Sequence, residues 1–224
     1  VSASNQVSIP TTGSGYNYNV DWENDGVFDN QDYILFYAEG VDNWSQENLT
    51  SLNLYTDKTY YYVTVNSGVG KRMEQATEPN ATPDVVFTKY NSEQYHEQDL
   101  VNIAKISRKW FGEQFNVNDE QTFNFNFPNL DITSSLQLEV NTASKSLTST
   151  DFQYSVNDQN IGSSNFPVLP SQGLITLEST RSFTVNSSNT EVQVTLKYNN
   201  GGVPTSNGYL NYLKLRATNN LRGY

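Results

Sequence analysis

Residues 121–127, QTFNFNF, decide the fold. Phe123, Phe125 and Phe127 alternate with asparagine, a period of two that puts the three rings on one face of a strand and the amides on the other. The same alternation recurs outward along the chain. Leu136, Leu138 and Val140 repeat it, then Phe152, Tyr154 and Val156, then Phe183 with Val185. Val192, Val194, Leu196 and Tyr198 follow, and Leu213, Leu215 and Ala217 complete the series. Turn residues separate the runs at Pro128-Asn129, Asn157-Asp158, Asn186-Ser187 and Asn199-Asn200-Gly201-Gly202. Strands with a single apolar face need a second sheet to cover it. The expected fold is therefore mainly β, with an antiparallel, jelly-roll-like β-sandwich over 109–224.

Upstream the pattern is less regular, and a small β-rich N-terminal domain is expected over 1–108. Val7 and Ile9 alternate as in an edge strand, Tyr33–Ala38 reads as a buried strand, and Thr59–Val65 (TYYYVTV) is a third. Asp84–Tyr90 is strand-like. One short helix is expected near 95–106, because Leu100, Ile103 and Ala104 share a helical face. Glu97 and Asp99 would then stand near its positive N-terminal end.

Composition excludes several classes of function. The chain has 224 residues, 15 tyrosines and 11 phenylalanines, and a net charge of −11. That charge is the wrong sign for nucleic acid and for anionic lipid surfaces, whose phosphates need Lys and Arg. There is no cysteine, so disulfides, thiolate metal sites and a cysteine nucleophile are excluded. With one histidine, a Ser-His-Asp centre could be built only around His96. No apolar run has the length of a membrane-spanning helix, so no direct membrane insertion is expected. The first residue is Val1, and the chain reads as a piece of a longer protein.

The stretch Asp21–Trp44, DWENDGVFDNQDYILFYAEGVDNW, carries the densest local motif. Asp21, Glu23, Asp25, Asp29 and Asp32 stand at positions 1, 3, 5, 9 and 12 of a twelve-residue loop with Gly26 at position 6. That is the spacing of oxygen ligands and turn in a calcium loop, which makes these five residues candidate ligands for a structural Ca²⁺. An Asp-Gly turn leading into a strand accounts for the same residues with no ion. No cofactor is required by anything else in the chain. His96-Glu97-Gln98-Asp99 resembles an acid–base cluster but lacks the second histidine of a metal-binding helix. Trp22, Trp44, Trp110 and Tyr60–Tyr62 could form a sugar-stacking platform, although large aromatics more often serve as core.

Several of these motifs together resemble the N-terminal region of PorU-type proteins, the gingipain-like C-terminal signal peptidases (sortases) of the type IX secretion system in Bacteroidota. The resemblance runs through Trp22, Asp25-Gly26-Val27-Phe28-Asp29 and Asp32–Tyr37, then Leu52–Asp57 and His96–Leu100. It continues in Trp110-Phe111-Gly112-Glu113-Gln114-Phe115, Tyr209–Leu213 and Asn220-Leu221-Arg222. It implies the non-catalytic N-terminal region of a cell-surface, outer-membrane cysteine peptidase that removes the C-terminal signal of cargo and attaches the cargo to lipopolysaccharide. The catalytic domain would follow residue 224, so no catalytic residue is expected in this chain. The implied partners are the chain's own downstream protease domain, other secretion-system surface components, or cargo. Trp110, Tyr209 and Tyr212, which flank the expected junctions, are the candidate interface residues. The alternative reading is a carbohydrate-binding or adhesin module of a bacterial surface protein.

Overall fold

A computed structural model describes residues 6–10, 19–20, 33–34, 38, 40–53, 55–66, 85–105, 109–170 and 175–222, with backbone only for 6–10, 19–20, 33–34 and 63–66. The chain divides into two compact units, Val1–Ser45 with Leu52–Pro83, and Gln46–Ser51 with Asp84–Tyr224. In the first unit β1 (Gln6–Pro10) pairs in parallel with β4 (Tyr62–Asn66), and β2 (Asn19–Val20) pairs antiparallel with β3 (Tyr33–Ile34).

The second unit is the sandwich. Its strands are β5 (Lys89–Glu97), β6 (Gln114–Phe115), β7 (Glu120–Asn126), β8 (Leu136–Lys145), β9 (Thr150–Val156), β10 (Gln159–Phe166), β11 (Leu177–Val185), β12 (Glu191–Asn199) and β13 (Asn207–Asn220). One sheet has the order β10-β9-β12-β7 and the other β11-β8-β13-β5, with the short β6 on β13. From β7 onward every connection crosses between the sheets except the β9–β10 hairpin, as in an eight-stranded jelly roll with its first strand beside its last. The expected mainly β, jelly-roll-like sandwich is what forms.

Packing follows the alternation. Phe123 and Phe125 meet Phe152, Tyr154, Leu196 and Leu213 in one buried cluster built from both sheets. The β9–β10 hairpin turns on Asn157 (φ 47) and Asp158 (φ 64), the left-handed pair of a two-residue type I′ turn, which Asn and Asp tolerate best after glycine. On β13 the register skips a residue between Leu210 and Tyr212. Asn211 is therefore an extra residue, and strand parity inverts across it. Leu210 points into the core before the bulge, and Leu213, Leu215 and Ala217 do so after it.

The helix expected near 95–106 is not formed, and no helix occurs among the described residues. Tyr95–Glu97 complete β5, residues 98–105 are bridge and turn, and Lys105 adopts φ 63. The 3.6-residue spacing of Leu100, Ile103 and Ala104 was overridden by nine backbone pairings between β5 and β13. The same pairing corrects the boundary drawn at 108/109. The sandwich needs β5 as the partner of its last strand, so residues 89–97 belong to the sandwich.

A candidate docking face on the five-stranded sheet

The outer face of the five-stranded sheet is polar because alternate residues of its strands turn away from the core. On β5 these are Glu93, Tyr95 and Glu97, on β13 Tyr212, Lys214 and Arg216, and on β8 Glu139 and Asn141. Glu93 gathers the charges. Tyr95 donates its hydroxyl to Glu93, Arg216 Nε donates to Glu93 Oε1 at 2.6 Å, and Lys214 Nζ lies 3.8 Å from Glu93 Oε2. The Tyr95 hydroxyl, followed by the Arg216 hydrogen bond and the two cations, outweighs burial and holds the Glu93 carboxyl below its ordinary value. Tyr212 donates to Glu139 Oε1 at 2.8 Å. Burial first, then that carboxylate, pushes the Tyr212 phenol well above its usual range. Ser51 donates its backbone N–H and hydroxyl to Glu97 Oε2 at 2.6 and 2.8 Å.

A strap, described over residues 98–105 and 109–113, crosses one end of this face. Val101 and Phe111 form a β-bridge, and Phe111 packs on the Tyr209 ring at 5.8 Å with Ala143 and Ile103. Gly112 N–H donates to the Leu210 carbonyl at 2.7 Å. A Cβ at Gly112 would stand 3.1 Å from the Gln98 carbonyl oxygen and 3.4 Å from that of Leu210, so this close approach suits glycine. Lys109 Nζ pairs with Glu178 at 3.0 Å.

Strand geometry also separates the residues of the apparent acid–base cluster. His96 faces inward, its Nε2 2.7 Å from Glu113 Oε1 and its ring centroid 4.5 Å from that of Phe123. Glu97, one residue on, faces outward to Ser51. Burial raises the Glu113 carboxyl, but the His96 hydrogen bond, a backbone amide and the His96 charge together bring it below its ordinary value. Asp99 is raised by burial and then by the charge of Glu97. Successive residues of a strand cannot converge on one substrate.

Of the residues expected at an interface, Trp110 is 41% exposed, whereas Tyr209 and Tyr212 are 5% and 1% exposed. The two tyrosines are buried in this chain, Tyr209 against the Phe111 ring and Tyr212 with its hydroxyl on Glu139. Asp21, Glu23, Asp25, Asp29 and Asp32, with Trp22, lie outside the described residues. Among the described residues no group of three or more His, Cys, Asp or Glu side chains could hold a metal, and no helix is long and apolar enough to cross a membrane. Trp44 is half-buried and belongs to the first unit, while Trp110 belongs to the second. The charge cluster on Glu93 was missed by sequence reading. Its signal is the polar alternation of KYNSEQYHE, which becomes a strand signal only with β13 beside it.

No protein-family model matches the chain, and no curated protein matches it. Among solved structures similar to the chain, one superposes with a TM-score above 0.5. Dimeric latent PorU from Porphyromonas gingivalis superposes with a TM-score of 0.54 at 21% identity, over 70% of this chain and 15% of that one. A CBM36 carbohydrate-binding module in complex with calcium and xylotriose gives 0.35 at 14% identity, over 58% and 99%. The C-terminal CBM6 module of a laminarinase from Zobellia galactanivorans gives 0.31 at 15%, over 56% and 90%. The chain spans only 15% of PorU's length, and its likeness to that protein, at 21% identity, is one of fold.

Proposed function

We propose that this chain is the non-catalytic N-terminal region of a type IX secretion sortase. It acts on the extracellular side of the outer membrane by docking on its own downstream protease domain, with secretion-system components or cargo as further partners. One observation carries the docking role. In the element Trp110–Phe115, Phe111, Gly112, Glu113 and Phe115 each have a task inside the sandwich. Phe111 packs on Tyr209, Gly112 permits the close approach of the strap, Glu113 meets His96, and Phe115 is fully buried. Trp110 is left 41% exposed beside Phe111 and Gly112, whose backbones are hydrogen-bonded to Val101 and Leu210. Tryptophan is among the residue types enriched at the energetic anchors of protein interfaces. A structural Ca²⁺ in the 21–32 loop fits this reading as a stabiliser, and an unchanged melting temperature with chelator would remove it.

The test is calorimetric titration of the purified chain with the protein region that follows it in the parent reading frame. Wild type is expected to bind, and Trp110→Ala to weaken binding at least about tenfold, as for an interface anchor. Its melting temperature should stay put. Equal binding by Trp110→Ala, or peptidase activity of this chain alone on a cargo signal, overturns the proposal. So does a parent reading frame with no cysteine-protease domain after Tyr224.

A further inference from the structure

The outer face of the four-stranded sheet carries a second polar surface, of different character. Register places Asn165, Asp151 and Asn199 side by side on β10, β9 and β12. The next outward row is Ser163, Gln153, Lys197 and Glu120, on β10, β9, β12 and β7. Two clefts of about 360 Å³ each open along these rows. One is floored by Gln153, Lys197 and Asn199 beneath the 116–119 loop, and the other by Asp151 and Asn165 beside Pro167. Both clefts are lined by residues of β9, and the Ser163–Gln153–Lys197–Glu120 row extends the band across all four strands. Three strand spacings make it roughly 14 Å long.

The band holds exposed amides at Gln153 and Asn165 beside residues that bond to one another, and the Asn199 amide is fixed on both sides, its Oδ1 accepting from the Gly201 N–H at 3.1 Å. Asn199 Nδ2 donates to Asp151 Oδ1 at 2.8 Å, and Lys197 pairs with Glu120 at 3.1 Å. The Gln153 amide has only a long 3.5 Å approach to Asp151 Oδ2. Val117, 97% exposed, stands at one end of the band and Pro167 at the other.

We infer that this band is a binding site for a neutral saccharide chain, with room for about three sugar rings at one ring per strand spacing. Amides and carboxylates in a row offer alternating donors and acceptors, which is what vicinal hydroxyls require. Val117 and Pro167 offer small apolar contacts to the C–H faces of terminal rings. Asp119, Glu120 and Asp151 outnumber Lys197, so an anionic ligand is repelled. An apolar peptide would find no deep hydrophobic pocket here. The band contains no aromatic platform, so binding is weak, in the millimolar range, and serves through repetition along a polymer. This site is separate from the Trp110 strap and does not depend on the sortase reading.

An amide-detected NMR titration of the whole chain with neutral gluco-, galacto- and manno-configured trisaccharides tests the inference. At least one sugar should shift the side-chain amide signals of Gln153, Asn165 and Asn199 saturably at millimolar concentration. Gln153→Ala and, separately, Asn165→Ala should weaken that binding about tenfold, the equivalent of one or two lost hydrogen bonds. Both positions are exposed, so folding is retained and is checked from the same spectra. No saturable shift with any of the three sugars overturns the inference, as do shifts that map elsewhere or survive both substitutions.

Discussion

Gly208→Ala tests the account of the core directly. Gly208 sits on β13 with its Cα hydrogen directed at two rings of the opposite sheet. A Cβ there would fall 2.6 Å from Phe152 Cζ and 2.7 Å from Tyr198 Cδ2, below the 3.0 Å that real Cβ contacts respect. Neither ring can retreat easily. Tyr198 is tied through its hydroxyl to Ser144 at 2.9 Å, and Phe152 is hemmed in by Phe115 at 5.1 Å and Phe166 at 6.2 Å. Overpacking of this kind costs about 1–3 kcal/mol. Alanine restricts the unfolded chain and returns roughly 0.4–1 kcal/mol. The net expectation is a loss of about 1–2 kcal/mol. For a chain of this size that lowers the melting temperature by roughly 2–8 °C. Urea unfolding followed by tryptophan fluorescence, with a thermal scan alongside, reads the effect. Gly202→Ala serves as a contrast. Its Cβ meets nothing within 4 Å, but φ is 77, so its cost is backbone strain of about 1 kcal/mol with no change in core packing. An unchanged or raised stability of Gly208→Ala would refute the described meeting of β13 with the opposite sheet.

Three further outcomes are expected. Deleting Asn211 removes the bulge and inverts the parity of one half of β13, sending either Leu210 or the Leu213–Ala217 row out of the core. The product should lack a cooperative transition, and a sharp melt near the wild-type temperature would contradict the bulge. Asp158→Val forces a β-branched residue into φ 64 and should cost about 1–2 kcal/mol in chemical denaturation, whereas Asp158→Gly should cost nothing. Glu113 has a folded-state carboxyl below its ordinary value, so its stabilising contribution is complete above the unfolded pKa and is lost as pH falls through the folded one. Glu113→Gln should therefore flatten the fall in melting temperature between about pH 6 and about pH 3, and an unchanged acid slope would show that the His96–Glu113 pair does not form in solution.

The sandwich was legible from Gln121 onward because its strands carry their own evidence. Phe123, Phe152, Val194 and Leu213 each belong to a two-residue period that only a half-buried strand explains. The Asn157-Asp158 turn was readable for a similar reason, since few residue pairs tolerate two left-handed positions. β10 escaped notice, because Gln159–Phe166 has Gly162 and two serines where apolar residues would mark a strand. β5 was misread for a physical reason of the same kind. It is an edge strand of its sheet, and its inward residues are the polar Ser92, Gln94 and His96, which bond to Asn219, the Asn126 carbonyl and Glu113. No local pattern distinguishes such a strand from a polar helix.

By itself the sequence determined the fold class, the absence of a cysteine nucleophile and the family resemblance, since each rests on residue type and short-range order. Only the tertiary structure decided which residues share a face. Parity along a strand depends on bulges and on the partner's register. It turned Tyr209 and Tyr212 into buried supports and left Trp110 exposed. It also parted His96 from Glu97 and aligned Asn165, Asp151 and Asn199 from three separate strands. Proximity across strands is set by hydrogen-bond pairing between segments far apart in the chain, and no local pattern of residues encodes it.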